Sequence, residues 1–136
     1  MHYLLSGKIS CYDDRNDSAY VGIYNGIVSE LSFPLIMPLE NGNKTDNRWL
    51  EIYDDFGSGI RITGKPFFNF NIQNYSDKDL NRSKKAHTLI RGEKNWLHID
   101  YKQMGLGGDD SWSPRVHKEF LLKNKVYHYT YAIEPL

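Results

Sequence analysis

The sequence predicts an all-β protein, an antiparallel β-sandwich that carries one short helix. Three observations lead to this prediction. Seven or eight short β-prone segments are separated by turn-forming residues, a pattern that is typical of antiparallel sheets. Aromatic residues make up 14% of the 136 residues, and ten of them are tyrosine, a residue type that favours strands. Only one segment, near residue 76, has the signals that begin a helix.

The N-terminal half contains the first predicted strands. Residues 3–5 are a short apolar run. Residues 19–24 are β-prone and are followed by an Asn-Gly pair at 25–26, the strongest short signal for a hairpin turn. We therefore expect the chain to reverse there and to continue extended over 27–31. Residues 48–53 and 60–63 flank a glycine-containing turn and predict a second hairpin.

The C-terminal half alternates more clearly. Residues 68–72 read FNFNI, the period of two of a half-buried strand, so their apolar side chains should face the core. Ser76 is followed three residues later by Asp79, the pattern of a capping box, which predicts a helix of two or three turns ending near Lys85. Further strands are predicted at 88–90, 96–101, 116–122 and 126–133.

Length, charge and cysteine content narrow the class of protein. A chain of 136 residues predicts one domain, residues 1–136. Lys and Arg together number 17, as do Asp and Glu, so nothing predicts binding to nucleic acid or to an anionic membrane. Cys11 is the one cysteine, which excludes an intrachain disulfide. We find no signal peptide and no membrane span, and we expect a cytoplasmic protein.

The most informative stretch is residues 104–114, which read MGLGGDDSWSP. Its glycines permit backbone angles that other residues resist. Asp109, Asp110 and Ser111 can brace a turn with their side chains, and Pro114 stiffens the exit. This pattern predicts an ordered loop that presents Trp112 as a stacking platform for a ring-shaped ligand. The alternative is that the indole plugs one end of the sheet.

Catalytic and metal-binding patterns are not evident. The five histidines have no H-x-H or H-x-x-x-H spacing, so no metal site is predicted. Ser111 has no histidine partner at a defined spacing, so a serine nucleophile is not predicted either. Asp109 and Asp110 are neighbours in one tight loop and are interpreted as braces of that loop.

Several of these stretches resemble the large bacterial β-galactosidases, a family of retaining glycoside hydrolases. GLGGDDSWSP at 105–114 is similar to a signature near their C-terminus. PLENGNKTDNRW at 38–49 resembles a family segment that usually reads PQENGNRTDVRW, and segments 20–24 and 68–76 are also similar. The likeness runs from residue 12 to 131. Tyr12, Asp14 and Arg15 follow the family pattern, whereas Lys8 and Ser10 replace its usual proline and glutamate.

The resemblance implies that this chain is the second half of a large C-terminal β-sandwich domain. Trp112 would then pack against the leaving-group sugar. The family's catalytic carboxylates and its magnesium and sodium ligands lie in a barrel domain that this sequence does not contain, so we expect no cofactor here and no catalysis by this chain alone. The candidate sugar-binding residues are Trp112, Ser111, Asp110, Asp109, Glu40 and Asn41.

The resemblance also implies partners. We expect a galactoside or a lactose-like sugar as ligand, and a large catalytic β-galactosidase chain as partner. Self-association is expected too, because a half-sandwich leaves an open edge or an apolar face. Two alternatives remain, namely a free-standing carbohydrate-binding or sugar-sensing module that uses Trp112, and a scaffold that only forms oligomers.

Overall fold

A computed structural model describes residues 1–9, 12–33, 35–37, 39–110 and 112–136. The all-β, antiparallel class is confirmed, with six strands among these residues and not seven or eight. The strands are β1 (His2–Gly7), β2 (Gly22–Ile27), β3 (Lys44–Tyr53), β4 (Gly59–Gln73), β5 (Trp96–Asp100) and β6 (Thr130–Pro135), and the helix is α1 (Asp77–Arg82). Short 3-10 helices cover Asp13–Ser18, Val28–Glu30, Ala86–Thr88 and Lys118–Phe120.

The long strand β4 organises the sheet, whose order is β2-β1-β3-β4-β5 with β6 also paired to β4. One edge of β4 pairs with β3, as the predicted hairpin requires. The other edge is shared. Its first part pairs with β6, from Ile60 to Lys65, and its last part pairs with β5, from Asn69 to Gln73. The chain therefore leaves this edge after Asp100 and returns to it at Thr130.

The core lies on one face of this sheet. Leu5, Leu50 and Ile62 are fully buried at opposing positions of β1, β3 and β4. Fully burying one such side chain stabilises the fold by about 1.5–3 kcal/mol. The remaining buried apolar residues of the cluster are Tyr3, Val28, Leu31, Ile52, Phe68, Phe70 and Ile72, so the predicted inward orientation of the FNFNI segment is confirmed.

The polar residues of the same segment are also buried, which the prediction of a half-buried strand did not include. Asn69, Asn71 and Gln73 are 5%, 1% and 0% exposed. The segment that contains Glu40 contacts this second face, where Asn71 Nδ2 donates a 2.7 Å hydrogen bond to Glu40 Oε1. Over residues 69–73 the second face of β4 is therefore a buried polar layer and not a solvated surface.

The predicted turn at Asn25-Gly26 is wrong. Both residues lie inside β2, where Asn25 pairs with Leu4 and Gly26 pairs with Tyr3 of β1. A Cβ on Gly26 would lie 3.1 Å from the Tyr3 ring, so this glycine admits a ring from the neighbouring strand and does not form a turn. The predicted extension over 27–31 ends early, because residues Val28–Glu30 form a 3-10 turn that buries Val28.

Three predictions near the C-terminus are corrected. Residues 88–90 and 116–122 are not strands, and the last strand begins at Thr130 and not at residue 126. A strand requires a neighbour for its backbone hydrogen bonds, and β5 and β6 already occupy the free edge of β4. Tyr127 and Tyr129 pack instead on the ring of Tyr101, with centroids 5.9 and 5.6 Å away.

The predicted helix is confirmed, with an earlier end. The Ser76 hydroxyl accepts a hydrogen bond from Asp79 N at 3.2 Å, and the Asp79 carboxylate accepts from Ser76 N at 3.0 Å, which completes the capping box. α1 ends at Arg82 and buries only Leu80. No helix in the described part of the chain is long and apolar enough to cross a membrane.

Candidate functional site

The loop at 104–114 depends on its glycines, as predicted. Gly107 and Gly108 have φ angles of +66° and +79°, which side-chain-bearing residues rarely adopt. At Gly107 the space is closed as well, since a Cβ would lie 2.2 Å from the carbonyl oxygen of Arg115. Gly105 packs closely without a positive φ, because a Cβ there would lie 2.9 Å from Asp14 Cγ.

Asp110 braces the loop directly beside the indole. Its Oδ1 accepts hydrogen bonds from the backbone N–H groups of Trp112 and Ser113, at 2.8 and 2.6 Å. The Ser113 hydroxyl in turn accepts from Arg115 N at 3.2 Å. The interpretation of Asp110 as a brace is therefore confirmed. Ser111, the other predicted contact in this turn, lies outside the described residues.

Asp109 acts through a histidine that the sequence did not single out. Its Oδ2 hydrogen-bonds to His117 Nε2 across the loop. This hydrogen bond, followed by the charge of Asp109, raises the pKa of His117, and the charges of Glu119 and Asp14 add to the effect. Asp109 therefore joins the two sides of the loop. The partners are eight positions apart in the sequence, a spacing that matches no recognised motif, so sequence spacing could not have identified the pair.

Trp112 stands at the exposed end of this construction. It is 93% exposed, so the alternative that it plugs one end of the sheet is wrong. Together with residues 113–119 and the two aspartates it lines an open concavity of about 1130 Å³. The lining includes the basic side chains Arg115 and His117 as well as the carboxylates of Asp109 and Asp110. An apolar ring face beside hydrogen-bonding groups of both signs suits a ligand with a flat face and many hydroxyls.

Glu40 lies in a different set of contacts. Its Oε1 accepts from Asn71 Nδ2 at 2.7 Å, and its Oε2 accepts from the Tyr12 hydroxyl at 3.1 Å. Burial raises the pKa of Tyr12, and the charge of Glu40 raises it further. The phenol therefore stays protonated at neutral pH and acts as a donor to the carboxylate.

Asn41 is a structural residue of its own loop. Its side chain is 8% exposed. Its Oδ1 accepts from Phe33 N at 2.7 Å, and its Nδ2 donates to the carbonyls of Phe33 and Leu39 at 3.2 and 3.0 Å. These bonds join Asn41 to both ends of the apolar segment 33–39, at Phe33 and Leu39.

The predicted site residues thus form two groups. Neither Glu40 nor Asn41 belongs to the lining of the Trp112 concavity. The segment that touches both groups is residues 12–15. Tyr12 binds Glu40, Asp14 Oδ2 accepts from Gly107 N at 2.7 Å, and Arg15 Nη2 donates to Gly107 O at 2.8 Å. The resemblance had marked Tyr12, Asp14 and Arg15 as following the family pattern, but the sequence alone did not predict these contacts.

The two aspartates of the concavity lack the arrangement that glycoside cleavage with retention requires. Cleavage with retention needs two carboxyl groups ~5 Å apart on opposite sides of the bond, whereas Asp109 and Asp110 are adjacent and already bonded to His117 and to the loop backbone. Among the described residues, no three His, Cys, Asp or Glu side chains converge as metal ligands would.

Comparison with known proteins agrees with these features. A family model described as the β-galactosidase small chain matches residues 1–133. The β-galactosidase of Vibrio cholerae is 42% identical over 118 residues, which are 87% of this chain and 11% of that protein. The β-galactosidase of Pseudoalteromonas haloplanktis is 37% identical over 133 residues, 98% of this chain and 12% of the relative. The chain thus spans about one eighth of the length of these relatives.

Proposed function

The chain belongs to the β-galactosidase small-chain family, and on that premise we propose that it completes the wall of a galactoside-binding active site. Trp112 stacks on the leaving-group sugar, and Asp109, Asp110, Ser111, Glu40 and Asn41 belong to the two loops that form this wall. The catalytic carboxylates and the magnesium and sodium ions belong to another part of the protein or to another chain. The chain is therefore a component of a glycoside hydrolase that does not hydrolyse galactosides alone.

The observation that carries the proposal is the exposure of Trp112. An indole that is 93% exposed adds little to the stability of the sheet, and yet the loop beneath it has two positive-φ glycines and the Asp110 hydrogen bonds. A rigid indole presents its apolar face to the C–H face of a sugar, while the polar groups of the concavity bond to the hydroxyls.

A second surface supports a polypeptide partner. Five residues of segment 33–39 are described, and all of them are apolar and at least 39% exposed, with Ile36 at 92%. Contiguous apolar exposure of this kind is typical of an interface. The relatives are about eight times longer than this chain, so we assign the surface to the remainder of a β-galactosidase, with a second copy of this chain as the alternative occupant.

The test is reconstitution. The 136-residue chain is mixed with the β-galactosidase of Vibrio cholerae from which the matching segment has been removed, and hydrolysis of an aryl galactoside is measured. We expect activity to appear only in the mixture. Circular dichroism shows beforehand that both chains are folded, and in that case an inactive mixture contradicts the proposal.

The role of Trp112 is tested in the same mixture. Trp112→Ala should raise KM about tenfold, which corresponds to about 1.4 kcal/mol of binding free energy. The matched control is Trp96→Ala, which removes an indole that is 46% exposed on β5. Equal KM values for the two variants would contradict the proposed contact between Trp112 and the sugar. Saturable quenching of tryptophan fluorescence by galactose in the isolated chain, lost in Trp112→Ala, would instead support a free-standing binding module.

A further inference from the structure

We propose that Asp14 and Arg15 are positioning residues that hold the Trp112 loop in its binding conformation by gripping the peptide groups of Gly107 from both sides. The proposal concerns the loop itself, and its consequence for galactosides rests on the function proposed above. Neither residue lines the concavity at Trp112, so any effect on a sugar must pass through the loop.

The grip consists of two hydrogen bonds to one residue. Asp14 Oδ2 accepts from Gly107 N at 2.7 Å, and Arg15 Nη2 donates to Gly107 O at 2.8 Å. Both bonds involve a charged side chain, and such bonds are stronger than those between neutral groups. With its N–H and its carbonyl both bound, Gly107 cannot rotate about its backbone without breaking one of them.

The position of the grip matters because Gly107 is where the loop needs fixing. Its positive φ and that of Gly108 come directly before the two aspartates that brace Trp112. Glycine has the widest conformational freedom of all residues, so consecutive glycines would otherwise leave the indole mobile. Gly105 also packs closely against the Asp14 carboxylate, so Asp14 contacts the loop at two of its glycines.

The burial of Asp14 indicates that the carboxylate is placed for this contact. Its second oxygen, Oδ1, is buried and has no hydrogen-bond partner in the described part of the chain. Oδ2 is therefore the oxygen through which the Asp14 carboxylate holds the loop, by its hydrogen bond with Gly107 N.

The experiment measures hydrogen exchange of the full 136-residue chain by mass spectrometry. We expect Asp14→Ala to accelerate exchange at residues 105–113 at least tenfold, with exchange in β1, β3 and β4 unchanged. Arg15→Met should give a smaller acceleration at the same amides, and because Arg15 is exposed, this variant keeps the fold even where Asp14→Ala does not. The matched control is Asp17→Ala, an exposed acid in the same 3-10 turn, which should leave the loop unchanged.

Unchanged exchange at 105–113 in both Asp14→Ala and Arg15→Met would overturn the proposal, as would equal acceleration throughout the sheet, which indicates a merely structural role.

A double-variant comparison in the reconstituted enzyme then tests whether Asp14 acts on the sugar through Trp112. Asp14→Ala should raise KM several-fold with kcat little changed, and adding it to Trp112→Ala should raise KM no further. Additive effects would overturn the route through the indole. Should Trp112→Ala itself leave KM unchanged, the proposed function fails while the exchange result still decides the grip.

Discussion

Leu50 in β3 and Trp112 in the glycine-rich loop are both large apolar side chains, and the fold places them in opposite environments. Leu50 is 0% exposed, between Leu5 of β1 and Ile62 of β4. Trp112 is 93% exposed at the end of a segment that has no strand partner. The sheet is stabilised by burial, and the loop is held by hydrogen bonds and by glycine backbone conformations. The two regions should therefore respond to different substitutions.

The contrast separates the stability of the sheet from the conformation of the loop. Removing a buried side chain from the sheet leaves a cavity that the surrounding residues fill only in part. Removing a hydrogen bond from the loop releases one segment while the sheet stays folded, because local opening needs less free energy than global unfolding. A substitution that loosens both regions equally would contradict this division.

The largest effect is expected in the core. Leu50→Ala should lower the free energy of unfolding by about 2–5 kcal/mol, because the site is enclosed on all sides. The matched control is Leu106→Ala, the same change at a side chain that is 50% exposed in the loop, for which we expect a loss of less than about 1 kcal/mol. Urea denaturation followed by far-UV circular dichroism measures both. Similar losses in the two variants would mean that the loop belongs to the core.

An intermediate effect is expected where the loop backbone is most constrained. Gly108→Ala introduces a Cβ at a positive φ with nothing within 4 Å, and a left-handed conformation costs about 1–2 kcal/mol. Gly107→Ala should cost more, because its Cβ would also meet the Arg115 carbonyl oxygen at 2.2 Å. Hydrogen exchange at residues 105–115 gives the free energy of opening for each. If Gly108→Ala opened the loop as far as Gly107→Ala, the close approach would be irrelevant.

The smallest effect is expected from the Asp109–His117 pair, which is exposed to solvent. Asp109 raises the folded-state pKa of His117, so the pair stabilises the loop fully below the unfolded pKa of histidine, about 6.5. That contribution is lost as the pH rises through the higher folded pKa. NMR titration of the His117 ring should show the raised pKa, and Asp109→Asn should lower it. If Asp109→Asn left the pKa of His117 unchanged, the proposed pairing would be contradicted.

Features set by neighbouring residues were predictable from the sequence. The capping box at Ser76 and the inward side chains of the FNFNI segment follow from spacing alone, and both are confirmed. Asn25-Gly26 was mispredicted because its turn preference is local, whereas the ring of Tyr3 opposite Gly26 comes from another strand.

The candidate site divides in the same way. Asp110 was recognised as a brace because the two backbone N–H groups that donate to its carboxylate are only two and three residues further along the chain. Asp14 and Arg15 contact Gly107 across 93 and 92 residues, and no periodicity connects positions so far apart. Such contacts depend on the complete sheet, which brings the N-terminal 3-10 turn to the base of the loop.

The shared edge of β4 has a consequence for how the Trp112 loop can vary. Residues 101–129 connect β5 to β6, and both of these strands pair with β4. Asp100, just before the segment, lies opposite Asn69, and Thr130, just after it, lies opposite Lys65, so the sheet fixes both ends of the segment. The entropic cost of holding the two ends of a loop together grows only with the logarithm of the loop length, so doubling the length lowers the stability of the fold by about 0.6 kcal/mol. Insertions or deletions between these ends can therefore change the reach of the indole while the six strands keep their register.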